Sequence, residues 1–397
     1  MIRTSYYQDL TKMNTFGMKV KARCFMEYDS VADLVDIEFE ELARPVLHIG
    51  GGSNLLFTDD FKGTVLHSKI DFIEILEGGN ADCTCEDQTD SRHCEKQSER
   101  RFPVLVSVGA GVVFDDFCAW AAKEGLWGVE NLSYIPGEVG ASAVQNIGAY
   151  GVEVKDVIHK VYCYDTVEVE FVSFSVEECG YGYRDSIFKN PEIKGRYIVT
   201  HVVFALSREP QPRLDYAHLK EAVAEAASLS SDPRLPGGRH PLAEGGMSLP
   251  GDTTSAFDAR VTPAIIRKVI IKIRKEKLPE PSVVGSAGSF FKNPVITLEH
   301  FARIESAAKA EHGPDYKVPH YDLPDGTVKV PAAWMIEQCG WKGKRSGGAA
   351  VWEKQPLVIV NYTGNAYPEE IIGLEKRIIA SVKAKFGVDL HPEVEHV

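Results

Sequence analysis

Two stretches of the chain repeat apolar residues every three or four positions, which is the spacing of one face of an α-helix. The earlier stretch follows Thr262 and Pro263, a favourable N-cap and first helical residue. Its apolar positions are Ile265, Ile266, Val269, Ile270 and Ile273. The later stretch begins at Pro368 and ends before Gly387, and its apolar positions are Ile371, Leu374, Ile378, Val382 and Phe386. A third helix is predicted from Asp115 past Trp120 to Gly125.

Short apolar runs bounded by turn residues predict strands at 44–49, 104–108 and 197–206, with further strands around 161–174. Helices and strands mixed in this way predict an α+β chain with several antiparallel strands. Two segments differ in composition. Residues 77–101 are polar and charged but lie between strand-forming runs, so we interpret them as an insertion within a folded domain. Residues 229–258 are rich in Ser, Pro and Gly, as in a surface loop or lid, and we expect disorder there.

The charge balance of the chain limits its partners. Its 397 residues include 44 Lys and Arg against 57 Asp and Glu, giving a formal net charge of −13. This excess disfavours nucleic acid or an anionic membrane as a partner, and an anionic ligand would need a local cluster of cations. The N-terminus has no apolar signal region, and no apolar run approaches the ~18 residues of a membrane span. We expect a cytoplasmic protein of two or three domains without membrane insertion.

Three of the eight cysteines cluster in the first polar segment, as Cys83, Cys85 and Cys94 beside His93. Structural zinc sites pair their ligands through two to four intervening residues, whereas one residue separates Cys83 from Cys85 and none separates His93 from Cys94. Solvated cysteines therefore explain the cluster better than a metal site. The other cysteines lie singly in apolar or helical stretches, and we expect them to be buried as small apolar residues.

Glycine-rich segments exclude three familiar sites and leave two unusual loops. The segment 340–346 lacks the spacing of a P-loop, 109–114 lacks the third small residue of a dinucleotide fingerprint, and a G-x-S-x-G elbow is absent. The loops at 50–54 and 136–151 combine glycines with small hydroxyl or amide side chains. Backbone N–H groups in such loops approach anions closely, which suits a diphosphate with a large flat ring. Either loop alone is more simply a tight turn.

Six motifs in order resemble those of the UDP-N-acetylenolpyruvoylglucosamine reductase family, the flavoenzymes of early peptidoglycan synthesis. The first three are Asn14-Thr-Phe-Gly17, Gly50-Gly-Gly-Ser-Asn-Leu-Leu56, and Ile135-Pro-Gly-Glu-Val-Gly140 with Gln145-Asn-Ile-Gly-Ala-Tyr-Gly151. The others are Tyr183-Arg-Asp-Ser-Ile-Phe-Lys189, Gly285-Ser-Ala-Gly-Ser-Phe-Phe-Lys-Asn-Pro294 and Pro392-Glu-Val394. The match extends from residue 14 to the C-terminus and omits the two polar segments.

The resemblance implies an FAD-binding domain of the vanillyl-alcohol-oxidase type at 1–208 and a C-terminal α+β substrate domain at 209–397. The last strand, with Glu393, would return to the active site. NADPH would reduce FAD, and hydride would pass to the enolpyruvyl group of UDP-N-acetylglucosamine enolpyruvate. Asp215-Tyr216 is similar to the subclass in which that tyrosine closes over the substrate. No metal is implied, and protein partners cannot be named.

The chemistry of this reaction explains three residues whose positions match the family's catalytic trio. Hydride addition to an enolpyruvate leaves an enolate, which needs a cation or proton donor aimed at its oxygen and then a proton for the adjacent carbon. Arg184 offers a planar cationic fork, Glu393 can hold a proton near the enolate, and Ser289 can donate to the basic carbon. Taken in isolation, Arg184 would pair with Asp185, Ser289 would cap a turn and Glu393 would be solvated.

The resemblance also implies ligand-binding residues. Those for the substrate are Tyr183, Tyr216, Lys277, Asn293 and Gln338. Those for the flavin are Gly50, Gly51, Gly52, Ser53, Asn54, Ile135, Pro136, Gly140, Val144, Gly148, Ala149 and Arg274. Lys277 and Arg274 end a basic run that supplies a local positive field on an acidic protein. Glu395 stands where some relatives have a basic residue, which weakens the expectation of one flavin contact.

Two other functions fit parts of the pattern. A flavin oxidase of the same fold would be reoxidised by oxygen and would not need Ser289. A flavoprotein without turnover would merely bind a nucleotide sugar, and the presence of all three chemical residues disfavours it.

Overall fold

The computed structural model describes residues 1–76, 103–216, 218–229 and 261–397. The insertions predicted at 77–101 and 229–258 lie outside the described residues, except for Leu229, the C-cap of a helix. The cluster of Cys83, Cys85, His93 and Cys94 also lies outside them. Within the described ranges, no group of three His, Cys, Asp or Glu side chains is arranged to hold a metal ion.

Helices and strands alternate irregularly along the chain. The α-helices are α1 (Val31–Val35), α2 (Phe114–Lys123), α3 (Val139–Gln145), α4 (Leu219–Ser228), α5 (Pro263–Lys277), α6 (Leu298–His312), α7 (Ala332–Gln338) and α8 (Pro368–Phe386). The strands of the N-terminal half are β1 (Arg3–Asp9), β2 (Lys21–Tyr28), β3 (Val46–Ile49), β4 (Leu55–Leu56), β5 (Phe61–Ser68), β6 (Ile73–Ile75), β7 (Val104–Gly109), β8 (Gly148–Ala149), β9 (Val152–Glu153), β10 (Ile158–Asp165), β11 (Glu170–Ser175) and β12 (Tyr197–Leu206). Those of the C-terminal half are β13 (Gly285–Ser289), β14 (Val295–Thr297), β15 (Tyr321–Asp322), β16 (Thr327–Lys329), β17 (Arg345–Ser346), β18 (Ala349–Val351), β19 (Val358–Asn361) and β20 (Glu395–His396).

The chain forms two compact units that interleave along the sequence. The first unit comprises Met1–Ile2, Tyr28–Phe39 and Ser68–Ile273, and the second comprises Arg3–Glu27, Glu40–His67 and Arg274–Val397. The predicted boundary between residues 208 and 209 is defined by what each half binds, and it stays a prediction.

The first unit is built on an antiparallel five-stranded sheet in the order β11-β10-β12-β7-β6. Helices α2 and α3 contribute to its core, where the Phe117 ring lies 4.6 Å from that of Phe204. The stretch at 161–174 is a hairpin of β10 and β11, because Asp165 ends β10 and its carboxylate accepts from the backbone of Val167. A smaller core joins α4 to α5, on which Ile266, Val269 and Ile270 are buried as the periodicity predicted.

The second unit contains several small sheets packed against helices α6, α7 and α8. The sheets have the strand orders β1-β2-β5-β3, β13-β19-β18-β17, β14-β16-β15 and β20-β4. Helix α8 begins at Pro368 and buries Ile371, Leu374, Ile378 and Val382, as predicted. Gly387 ends it in a left-handed conformation, which glycine adopts without steric cost.

The remaining predictions about burial can be checked in the described residues. Cys24, Cys118, Cys163 and Cys179 are buried free thiols, which confirms the expectation for them, whereas Cys339 is half-buried. Burial raises the pKa of the Cys179 thiol to about 11. In the described part of the chain, no helix combines the length and apolarity that a membrane span requires.

Candidate active site

The predicted flavin loop at 50–54 follows strand β3 in the second unit. Gly52 is buried with φ of +60°, and a Cβ atom there would lie 2.0 Å from the carbonyl oxygen of Met13. The carbonyl of Gly52 accepts a hydrogen bond from Thr15 N at 3.2 Å. Only glycine fits this position, because any side chain would displace backbone. That the main-chain groups of this loop form a cradle for a flavin diphosphate stays a prediction.

The motif Asn14-Thr-Phe-Gly17 supports both this loop and the strand that leads to Ser289. Thr15 N bonds the loop, and the carbonyl of Thr15 accepts from Ser286 N at 2.9 Å. A Cβ atom on Gly285 would lie 2.2 Å from the carbonyl oxygen of Phe16, so the two backbones are in close contact. Asn14 is itself buried and accepts from Met18 N at 2.8 Å. The motif at 14–17 thus supports the backbone of two later motifs, those at 50–56 and 285–294.

Ser289 and Glu393 are brought together in the second unit through main-chain hydrogen bonds. Ser289 is exposed at the end of β13, and the next residue, Phe290, is fully buried and fixes the strand. Glu393 N donates to the carbonyl of Phe290 at 2.8 Å. The carbonyl of Glu393 accepts from Asn54 Nδ2 at 3.1 Å. The backbone of Glu393, the predicted proton holder, therefore lies beside the strand end that carries Ser289 and beside Asn54 of the predicted flavin loop.

The predicted substrate ligands of the second unit are less closely grouped. Lys277 ends α5, with Arg274 on the same last turn. Asn293 Oδ1 accepts from Ala332 N at 2.9 Å and so caps the N-terminus of α7. Gln338 lies at the opposite end of that helix, about 9 Å along its axis. Its side-chain oxygen is 3.0 Å from His312 Nε2, so it faces α6. The position of Gln338 as a substrate ligand stays a prediction.

The turn between β18 and β19 was not singled out from the sequence, yet one of its ends contacts a predicted site residue and the other contacts the neighbour of one. Trp352 Nε1 donates to the carbonyl of Lys277 at 3.0 Å. The carbonyl of Leu357 accepts from Phe290 N, immediately after Ser289, at 2.8 Å. Neither contact has a local sequence signal, because the partners are separated by more than 60 residues along the chain.

In the first unit, Arg184 is held by the glycine-rich segment that precedes Tyr150. Its guanidinium donates to the carbonyl of Asn146 at 3.2 Å and to that of Gly148, and it lies 3.8 Å from the Glu153 carboxylate. Arg184 also has φ of +56°, a conformation that non-glycine residues adopt only at a cost. The two carbonyl groups therefore fix the orientation of the Arg184 guanidinium, and its role in catalysis stays a prediction.

Residues 148–151 include two predicted flavin contacts and are called flavin loop 2 from here on; their backbone is most closely packed at Gly148. A Cβ atom on Gly148 would lie 2.8 Å from Arg184 Nη1 and 2.9 Å from the carbonyl oxygen of Val152. Gly148 and Ala149 form β8, which pairs with β9. Gly148 therefore allows the arginine fork and the backbone to lie side by side, and replacement by a larger residue would separate them.

The other predicted flavin residues of the first unit surround helix α3. Gly140 and Val144 lie on the helix, and a Cβ atom on Gly140 would lie 2.8 Å from Ala110 Cβ. Ile135 and Pro136 precede it, following Tyr134, whose N–H donates to the Asp115 carboxylate at 2.5 Å. The same carboxylate is paired with Arg267 on α5. Asp115 thus fixes the entry to this segment instead of serving only as a helix-opening charge.

Asn146 is a further residue at this site that the sequence motif contained but the prediction did not name. It is fully buried with φ of +48°, and its Nδ2 donates to the carbonyl of Gly182 at 2.8 Å. It therefore ties the segment before flavin loop 2 to the turn that precedes Arg184. The available signal was an amide side chain two residues before Gly148, but its partner at Gly182 is distant in the sequence.

Two tyrosines predicted to contact substrate flank these groups. The Tyr183 ring lies 5.3 Å from the guanidinium of Arg184, a cation–π contact. Tyr216 is 41% exposed, and its ring meets the edge of Tyr150, which belongs to flavin loop 2, at 5.6 Å between centroids. The first unit thus presents a fixed cation and an exposed phenol beside the predicted flavin segment.

Comparison with known proteins identifies the class first. Residues 103–167 match the family described as "FAD binding domain", so this part of the chain belongs to a class of flavin-binding proteins. Residues 280–397 match the family described as "UDP-N-acetylenolpyruvoylglucosamine reductase, C-terminal domain". These matches confirm the prediction of an α+β chain with an FAD-binding domain and a C-terminal domain of this kind.

Full-length relatives then show the particular family. The chain is 45% identical to the UDP-N-acetylenolpyruvoylglucosamine reductase of Bacteroides fragilis strain YCH46, over 98% of both chains. It is 39% identical to that of Porphyromonas gingivalis strain ATCC 33277, over 100% of this chain and 99% of the relative. The crystal structure of the Thermus caldophilus reductase shares the fold, with a TM-score of 0.56 at 20% identity, and covers 100% of this chain and 98% of its own. The chain belongs to the UDP-N-acetylenolpyruvoylglucosamine reductase family.

Proposed function

We propose that the protein reduces UDP-N-acetylglucosamine enolpyruvate to UDP-N-acetylmuramate, with NADPH as the reductant and FAD as the cofactor. The observation that supports this best is the pair of hydrogen bonds by which Glu393 contacts Phe290, the neighbour of Ser289, and Asn54 of the loop at 50–54, in a chain that belongs to this reductase family. These bonds support the proposal because the residues that they join lie beside a hydroxyl, a carboxyl and a glycine-rich loop that can bind an anion. A reduction that ends in protonation at carbon needs these groups.

When bound, FAD would supply the hydride transfer from NADPH to the terminal enolpyruvyl carbon. Each of the two glycine-rich loops would offer main-chain N–H groups to the FAD diphosphate, and the close packing of Gly52 against Met13 and of Gly148 against Val152 would keep each loop in one conformation. Arg184 would bind the substrate carboxylate with a fork already oriented by the carbonyls of Asn146 and Gly148, so little entropy is lost on binding. Its charge would stabilise the enolate that forms.

The proton balance of the reaction assigns the remaining roles. Hydride addition leaves a carbanionic centre beside the carboxylate, and Ser289 Oγ–H would supply its proton. A serine hydroxyl is a weak acid, so the transfer depends on a strongly basic acceptor and on neighbours that stabilise the alkoxide. Glu393, whose main chain is held one residue beyond Ser289, would hold a proton near the enolate oxygen. Lys277, Asn293 and Tyr216 would bind the diphosphate, sugar and uridine.

Anaerobic absorbance spectra of the purified protein test this proposal. NADPH should bleach the flavin, and the enolpyruvyl sugar should then restore its colour without oxygen. Recovery of colour only when oxygen is admitted would favour a flavin oxidase. Tight binding of the sugar without recovery would favour a binding protein, and a protein unable to take up FAD would overturn both flavin-based functions.

The cellular consequences are part of the same proposal. UDP-N-acetylmuramate is a soluble nucleotide sugar used for peptidoglycan, so we place the enzyme in the cytoplasm and expect its depletion to disturb cell-wall growth, cell shape and division. Fractionation tests the location, and microscopy of depleted cells supplemented with either active or Ser289→Ala enzyme tests the dependence on catalysis.

A further inference from the structure

Asn131 occupies the middle of the 3-10 turn Glu130–Leu132 in the first unit and is fully buried. Its Nδ2 donates to two carbonyl groups, that of Tyr150 at 3.0 Å and that of Arg213 at 2.8 Å. These two carbonyls belong to segments more than 60 residues apart along the chain. One amide side chain therefore joins two distant loops.

This arrangement is costly for the fold. Asn131 Oδ1 is buried and has no hydrogen-bond partner among the described residues. Turning the amide over would satisfy nothing, because its oxygen would then face two carbonyl oxygens. Tyr150 also has φ of +51°, which is unfavourable for a residue with a side chain. A buried group left unsatisfied in a native structure calls for an explanation beyond packing.

The two carbonyl groups belong to the predicted flavin segment and to the segment that leads to Tyr216. Tyr150 lies in flavin loop 2, directly after Gly148 and Ala149. Arg213 stands three residues before Tyr216 and is itself tied to the Asp156 carboxylate at 3.1 Å. The rings of Tyr150 and Tyr216 meet edge to face at 5.6 Å. Asn131 thus sets the separation between the backbone of flavin loop 2 and the backbone that presents Tyr216.

We propose that Asn131 is a positioning residue that holds Tyr216 in register with flavin loop 2 and so prepares the tyrosine to bind the nucleotide sugar. The inference rests on the proposed function, because it assigns Tyr216 to the substrate. Holding the backbone at Arg213 reduces the number of conformations that Tyr216 loses on binding, which raises affinity without a new contact. Asn131 itself does not need to touch substrate or flavin.

A double-mutant cycle with anaerobic half-reactions tests this inference. The proteins are the wild type, Asn131→Ala, Tyr216→Ala and the double variant. The NADPH-reduced enzyme is mixed with increasing enolpyruvyl sugar, and the half-saturating concentration and limiting rate of flavin reoxidation are measured. Each single substitution should raise the half-saturating concentration about tenfold, or ~1.4 kcal/mol. In Asn131→Ala the limiting rate and the rate of reduction by NADPH should stay within about twofold.

The double variant gives the decisive comparison. If Asn131 acts through Tyr216, the double variant should match Tyr216→Ala within about twofold. An additive loss of about a hundredfold would overturn the positioning role, as would an unchanged Asn131→Ala protein. If the sugar reoxidises the wild type and the losses of the two single variants are additive, the positioning role fails but the proposed function stands. Absence of that reoxidation in the wild type would overturn both proposals.

A matched control separates positioning from general loosening of the turn. Ser133 is buried at the end of the same turn and donates to the carbonyl of Glu130 at 2.6 Å, without contacting Tyr150 or Arg213 through that bond. Ser133→Ala should lower the melting temperature but leave the half-saturating concentration unchanged, and a rise equal to that of Asn131→Ala would overturn the proposal. If Asn131→Ala does not retain FAD, Asn131→Ser replaces it in the cycle with the same criteria, since its hydroxyl can donate to one carbonyl.

Discussion

Replacing Gly52 by alanine should disable the loop at 50–54 for two reasons that the structure separates. A Cβ atom at this position would lie 2.0 Å from the carbonyl oxygen of Met13 and 2.8 Å from its carbonyl carbon. Ordinary contact needs about 3.4 Å, so the backbone would have to shift by more than ~1 Å, at a cost of about 3 kcal/mol. The φ of +60° adds about 1 kcal/mol for a residue with a side chain, which brings the expected loss to about 4 kcal/mol.

Gly326→Ala is a matched control in the same unit. Gly326 has φ of +79°, but a Cβ atom there would meet nothing within 4 Å. Its replacement should therefore cost only the conformational penalty of about 1 kcal/mol. The difference of about 3 kcal/mol between the two variants isolates the clash with Met13 from the left-handed backbone.

Urea unfolding of both variants at pH 7 measures these losses, and titration of the deflavinated proteins with FAD measures the effect on the cofactor. We expect Gly52→Ala to weaken FAD binding at least ~100-fold, because the main-chain cradle would be displaced, and Gly326→Ala to bind FAD normally. Equal unfolding free energies for the two variants would refute the steric argument. Normal FAD binding by a destabilised Gly52→Ala protein would refute the assignment of this loop to the flavin.

Three further predictions concern other parts of the two units. Arg184→Lys replaces a guanidinium held by two carbonyl groups with a single point charge. Stopped-flow traces should then show that reoxidation by the enolpyruvyl sugar is slowed by roughly 10²–10³, while reduction by NADPH is nearly unchanged. Equal slowing of both half-reactions would contradict the role of Arg184 in the enolate step. Burial, together with the neighbouring His67, lowers the pKa of His48 to about 4. Between pH 6.5 and 4, the unfolded chain therefore binds a proton at His48 that the folded chain does not bind. Stability should fall by up to about 3 kcal/mol over that range, and the fall should be smaller in His48→Gln; identical pH profiles of the two proteins would contradict this origin. Burial alone raises the pKa of Asp165, but the Arg196 guanidinium holds it below its usual range. Asp165→Asn should therefore lose about 2 kcal/mol of unfolding free energy at pH 7, and the difference from the wild type should vanish as the pH falls through the lowered pKa. A difference that persisted in acid would indicate a loss of packing instead.

Sequence periodicity predicted those elements whose signals are local. Helices α5 and α8 have apolar residues at helical spacing, a proline at the start and, for α8, a glycine at the end, and each lies where these signals place it. Strand β3 and the glycine loop after it were also predicted, because an apolar run ending in three glycines has few alternative conformations. In each case the information lies within a few residues of the element.

The geometry of the candidate site depends instead on contacts between distant segments. Nothing near Glu393 indicates that its N–H bonds the carbonyl of Phe290 or that its carbonyl meets Asn54. Asn131 and Asn146 look like ordinary loop residues in the sequence, since burial of a polar side chain depends on partners elsewhere in the chain. The motifs therefore indicated candidate site residues, but they did not indicate the hydrogen bonds from distant segments that position those residues.

The role of Ser289 as proton donor is tested most directly by the rate of each half-reaction in Ser289→Ala, compared with Ser282→Ala as a control on an exposed serine of the same unit. Stopped-flow absorbance would follow flavin reduction by NADPH and then reoxidation by the enolpyruvyl sugar under anaerobic conditions. We expect Ser289→Ala to be reduced as fast as the wild type but reoxidised more slowly by at least ~10², while Ser282→Ala should be normal in both half-reactions. Equal slowing of both half-reactions, or unimpaired reoxidation, would contradict the assignment of Ser289 as the proton donor.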